Sequence, residues 1–296
     1  MVLGVILALV VSIIFAVYAV PRKFSKQNAI LYTMWVGLAY FIGSILLCLI
    51  VWFFGLREQE VFFSFWHLLT ILRGIIWFFG IVAFNLAIDK IGLTRFNQWK
   101  NFQGPIGTIL MLAFIDDIVS SKIIWLLCGM TVMFISAMLF TIKTDNDNLQ
   151  SNKKGIFWAV LAAFCFGITA FINKIITTQG FIFSQLLFHS FSVVFAAAIF
   201  YCIKTRKPKD LFHFSSEIKF PIISGILFLA GTILSIYSYT MIPGSISWSI
   251  TQLNAIWTIL IGIFIFKEVS FKKYWFRITV GFVFAFSAIF LLLRAL

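Results

Sequence analysis

Displaced by 151 positions, this chain lies on itself. The shift puts Gly4 on Gly155, Phe15 on Phe166, Ala19 on Ala170 and Lys23 on Lys174. It also puts Gly74 on Gly225, Gly80 on Gly231, Ile91 on Ile242, Asp117 on Glu268, Lys122 on Lys273 and Ser136 on Ser287. Each identity alone is weak, but a constant offset sustained over several apolar stretches points to an internal repeat. Between the halves lies a long polar segment, Thr144–Lys154 (TDNDNLQSNKK), with the composition of a linker. The chain thus divides into residues 1–143, the linker 144–154 and residues 155–296.

Both halves are built for lipid. Only 11% of the 296 residues are charged, whereas a soluble domain carries about 25%. A hydrocarbon layer about 30 Å thick needs roughly 20 apolar residues per helix. Ten stretches qualify: Val2–Val20, Leu31–Phe54, Leu68–Ile88, Gly92–Ile115, Ile123–Ile142, Gly155–Ile176, Phe181–Cys202, Phe220–Thr240, Gly244–Phe266 and Tyr274–Leu293. Five spans per half is an odd number, so the second half enters the bilayer from the opposite side. The expected fold is an all-α integral membrane protein, its ten transmembrane helices forming two inverted five-helix repeats. Such repeats, with a site at their interface near the midplane, recur in transporters.

The net charge of +13 would suggest nucleic acid in a soluble protein. Here the basic residues cluster in short loops, where they set orientation and meet anionic lipid, so no nucleic-acid partner is expected. Loops after spans 1, 5, 7 and 9 hold most of the Lys and Arg, which puts both termini outside if that side is cytoplasmic. Cys48, Cys128, Cys165 and Cys202 fall within or at the ends of spans and are expected as free thiols. The first span runs into Pro21-Arg22-Lys23 rather than small residues, the pattern of a retained helix. No glycine-rich phosphate loop, zinc-ligand cluster or nucleophile elbow is present. Asp116-Asp117 lacks the second acidic cluster that metal–diphosphate chemistry needs. Neither an enzyme nor a cofactor is expected.

Polar groups inside the spans point to a site. Ser247, Thr251, Asn254 and Thr258 recur at i, i+4, i+7 and i+11 on span 9, one helical face, with Trp248 beside them. Thr232, Ser235 and Tyr239 keep the same spacing after Phe228 on span 8. Span 4 offers Asn97, Lys100, Asn101 and Gln103; span 6 offers Phe166, Thr169 and Asn173; span 1 offers Phe15 and Tyr18. With Trp77, these donors and acceptors among aromatic rings suit a polyhydroxylated small solute with apolar ring faces. Interhelical hydrogen bonding is the alternative use for the same groups.

Lys100 lies too deep to snorkel easily and needs a partner or water. It would meet an acid or hydroxyl on the solute, or else backbone carbonyls or Asp89. The acids sit at span ends or in loops, which leaves His189, beside Gln185 in span 7, as the candidate for proton coupling. The expected partners are a small solute with or without a co-transported proton, and membrane lipid, for a monomer or homodimer in a bacterial-type plasma membrane.

The layout resembles the drug/metabolite transporter superfamily. Tyr18-Ala19-Val20-Pro21-Arg22-Lys23 with Thr33-Met34-Trp35, and Ile242-Pro243 with Ile246-Ser247-Trp248 up to Lys267-Glu268, are similar to stretches of the L-rhamnose–proton symporters. Gly74-Ile75-Ile76-Trp77-Phe78-Phe79-Gly80 and Ser247-Trp248-Ser249-Ile250-Thr251-Gln252 resemble motifs of the glucose/ribose porters. The chain departs from the latter at Ile81, Ala83 and Thr232, where those porters carry amides, and Lys100 matches neither branch. The resemblance implies a carrier of a monosaccharide; Lys100 itself leaves open, as the alternative, a carrier of an anionic metabolite with this lysine as counter-charge.

Overall fold

A computed structural model describes residues 1–55, 64–116, 118, 120–139, 149–206, 211, 216–267 and 271–296. Residues 144–148 of the linker, with Asp117 and Glu268, lie outside them. Among the described residues the fold is all helix and no strand. The helices are α1 (Val2–Val17), α2 (Ala29–Phe53), α3 (Phe65–Lys100), α4 (Gln103–Phe114), α5 (Ser120–Leu139) and α6 (Leu149–Thr178). They continue with α7 (Ser184–Thr205), α8 (Lys219–Met241), α9 (Gly244–Thr251), α10 (Asn254–Phe264) and α11 (Phe271–Arg294).

The polarity is inside-out relative to a water-soluble bundle. On α2, Ile42, Leu46, Leu49, Ile50 and Phe53 face outward, while Tyr32, Thr33, Tyr40 and Ser44 are buried. Hydroxyls on the inner side return to their own helix, Thr33 Oγ1 to the Ala29 carbonyl at 2.8 Å and Ser44 Oγ to that of Tyr40 at 2.8 Å. Outward apolar faces with inward, satisfied polar groups are what a lipid solvent requires.

Ten uninterrupted spans are not what the structure contains. By length and composition, eight helices among the described residues can cross a membrane; Gln103–Phe114 and Lys122–Ser136 are apolar but shorter. The expected span Gly92–Ile115 is divided. Helix α3 runs through to Lys100 with a corner at Gly92 (φ 76°, ψ 168°), a backbone state open to glycine, and a second break at Asn101-Phe102 precedes α4. The expected span Gly244–Phe266 divides too, at Gln252-Leu253.

These breaks match under the 151-residue shift, Asn101-Phe102 onto Gln252-Leu253 and Gly92 onto Pro243. At Asn101-Phe102 and at Gln252-Leu253 the backbone stays right-handed and tightens into 3-10 bonds, Gly104 N to Asn101 O at 3.1 Å and Ala255 N to Gln252 O at 3.1 Å. Such tightening inside a span marks a hinge or local strain.

Contacts between the halves obey the same shift. A Cβ on Gly80 would press on Cys165 and Phe166; one on Gly231 would press on Ile14 and Phe15. Gly4 lies against Ile242, and Gly155 against Ile91. Helix α1 packs on α8 as α6 packs on α3, and α2 on α8 as α7 on α3.

Asp116, just after α4, ties the halves together at the α8–α9 turn. The residue ahead of α9 is Pro243, with no side-chain acceptor, and Asp116 supplies the cap instead: its carboxylate accepts from Gly244 N at 3.1 Å and Ser245 N at 2.6 Å. Loss of a helix cap costs about 0.5–2 kcal/mol. Asp116→Ala should lower the melting temperature of detergent-purified protein accordingly, with Asp116→Asn in between.

Candidate functional site

Between the halves lies a cavity with about 80 Å³ open to water centres. One water needs only about 10–15 Å³ on that measure, so the space admits several waters or a small polar solute. The first half contributes Phe15, Tyr18, Arg73, Trp77, Lys100 and Gln103. The second contributes Phe166, Thr169, Ala170, Asn173, His189, Phe228, Thr232, Ser235, Tyr239, Trp248 and Asn254.

One wall is aromatic. Phe228 stacks on Phe15 with ring centroids 5.8 Å apart, Trp77 lies 4.5 Å from Phe228, and Tyr18 lies 5.7 Å from it. The glycines on α3 and α8 that admit close helix neighbours set these rings at the interface of α1, α3 and α8. The opposing groups are polar. Lys100 Nζ donates to Asn254 Oδ1 at 2.9 Å, and Asn254 Nδ2 donates to the Thr251 carbonyl at 2.8 Å. Lys100 and Asn254 flank the two helix breaks, which bring them face to face across the halves.

Of the residues expected from sequence, Trp77, Lys100, Gln103, Thr232, Ser235, Tyr239, Trp248, Asn254 and His189 border the cavity. The structure does not bring Asn97, Asn101, Ser247 and Thr251 to it. Asn97 Nδ2 donates to the Leu93 carbonyl at 2.8 Å, and Asn101 faces a smaller space beside Ser249 and Gln252. Ser247 Oγ shares a 2.7 Å hydrogen bond with Ser238 Oγ, which donates to Gly4 O; Thr251 Oγ1 donates to the Trp248 carbonyl at 2.7 Å. The single polar face read along span 9 therefore belongs to two short helices, and of that stretch only Trp248 and Asn254 reach the void. Asp89 is no partner of Lys100, because it pairs with Arg22. Lys174 is buried on α6 and donates to the Tyr239 carbonyl at 2.8 Å.

Arg73 was missed by the sequence reading. It is 2% exposed and binds three neutral acceptors: Nε to His189 Nδ1 at 2.9 Å, Nη1 to Asn173 Oδ1 at 2.6 Å and to Gln185 Oε1 at 2.7 Å. Since His189 Nδ1 accepts, the ring carries its proton on Nε2, an assignment by network. Proton coupling through this histidine requires the Arg73 bond to open. The available signal was an arginine six positions into an apolar stretch, Leu68–Ile88, where a charge is rarely accidental.

Comparison with known proteins agrees with this architecture. A solved structure described only as "Crystal structure of protein" superposes over 98% of this chain and 94% of its own, at TM-score 0.69 and 10% identity, which establishes the fold alone. No curated protein matches the sequence. The family model described as "Sugar transport protein" matches residues 36–294. With its membrane-length apolar helices, the chain is an integral membrane protein belonging to the sugar transport protein family.

Proposed function

We propose that the protein carries a monosaccharide, or a similar polyhydroxylated solute, across a cell membrane by alternating access. The transport unit is the whole chain, read as ten membrane segments in two inverted repeats with the site between them. The observation that carries this reading is the shared cavity: both halves line it, and it pairs neutral hydrogen-bonding groups with aromatic plates, the two surfaces a sugar ring presents. Matched helix breaks beside Lys100 and Asn254 are suitable hinges, and the matched glycine contacts of α3 and α8 allow one half to rock on the other. Both termini lie outside in this reading, following the loop charges.

Uptake of labelled glucose, ribose, rhamnose and glucuronate into liposomes holding the purified chain tests it. Asn254→Ala should reduce transport at least tenfold, whereas Thr251→Val, which alters a hydroxyl satisfied within its own helix, should leave it within about twofold. Equal transport by both variants would refute the site, and no movement of any of the four sugars would refute the carrier reading.

A further inference from the structure

Two cationic side chains border the cavity and, among the described residues, no carboxylate does. Arg73 is held by three neutral acceptors and Lys100 by one amide oxygen; they are 2% and 4% exposed. The nearby acids are engaged elsewhere: Asp89 with Arg22, and Asp116 with the first amides of α9. Neutral acceptors orient a buried cation without cancelling its charge, and such a cation in a membrane core is ordinarily paired or wet.

The donor count leans the same way. An ammonium has three donors, and Lys100 Nζ gives one to Asn254. His189 lines the same space, and its buried Nε2 has no hydrogen-bond partner. An occupant that accepts without donating completes this arrangement better than one that brings hydroxyls alone.

We propose that the site prefers an anionic monosaccharide, a sugar acid or a sugar phosphate, over the neutral sugar, with the acidic group drawn to the Lys100 and Arg73 side of the cavity. This rests on the carrier reading above. The aromatic wall of Phe15, Trp77 and Phe228 takes the apolar ring face, and a positively charged sugar is rejected by the same two cations.

Thermal shift and intrinsic fluorescence titrations of the full chain in detergent, at matched ionic strength, test this with glucose, glucuronate, glucose 6-phosphate and glucosamine. Glucuronate or glucose 6-phosphate should bind at least tenfold tighter than glucose, with glucosamine weakest; the stronger of the two anions identifies carboxylate or phosphate as the matched group. Lys100→Gln should erase the preference, so that within this variant the anion binds no tighter than glucose, and Lys100→Arg should keep the preference, which separates loss of charge from loss of fold. Equal affinity for glucose and both anions, or a preference that survives Lys100→Gln, overturns the proposal. If glucose binds and is transported while neither anion is, only the charge preference fails; if none of the four binds or moves, the carrier reading fails with it.

Discussion

Arg73→Met is expected to abolish uptake and to destabilise the protein by about 3 kcal/mol. The methionine fills much of the volume but leaves Asn173 Oδ1, Gln185 Oε1 and His189 Nδ1 without their donor, on three side chains that are all buried. Each orphaned acceptor costs about 1–3 kcal/mol, and the relief of no longer burying a guanidinium offsets part of the sum. Arg73→Lys keeps a cation but not the planar fork that reaches α6 and α7 together, and should recover less than half of the loss. Melting and liposome uptake of the three proteins decide the matter: a Met variant that melts and transports like the parent would show that Arg73 is a bystander.

The second large effect is expected at Gly74. A Cβ there would lie 1.8 Å from Ser192 Oγ and 2.5 Å from the His189 carbonyl oxygen. The hydroxyl can turn aside, but the carbonyl belongs to a helix backbone, so Gly74→Ala must force α3 and α7 apart. Overpacking of this kind typically costs about 1–3 kcal/mol, and here it also displaces His189 from Arg73. Its repeat mate Gly225 would meet the Val36 carbonyl oxygen at 2.5 Å and should behave alike. Gly43 is the contrast. Its added Cβ would meet only the tip of Leu229, at 2.5 Å, a side chain free to move, so Gly43→Ala should cost less than about 1 kcal/mol. Equal losses of melting temperature at all three positions would defeat the distinction between backbone and side-chain obstruction.

Much of the fold was legible because its determinants are local or repeated. Apolar stretches of membrane length need no knowledge of their neighbours, and the shift that pairs Gly80 with Gly231 in sequence also pairs their contacts with Phe166 and Phe15. The residues on spans 1, 6 and 8 were recoverable for a related reason: Phe228, Thr232, Ser235 and Tyr239 lie on one continuous helix, so their spacing is their geometry. Span 9 resisted the same logic. A serine or threonine in a helix can satisfy its hydroxyl on its own backbone, as Thr251 and Thr258 do, and the break after Thr251 interrupts the face that spacing alone would draw. Arg73 was harder still. One charge hardly alters the hydropathy of its stretch, and its partners Asn173, Gln185 and His189 stand 100 to 116 residues away.

The reciprocal packing of the halves bears on how the chain is made. Helix α1 finds its main neighbour in α8, and α3 finds its own in α6. When the ribosome has delivered only residues 1–143, the residues that Gly4 and Gly80 pack against, Ile242 for the first and Cys165 with Phe166 for the second, are still untranslated. Final assembly is thus post-insertional, and a product truncated at the linker would be half a clasp, exposed to membrane proteases.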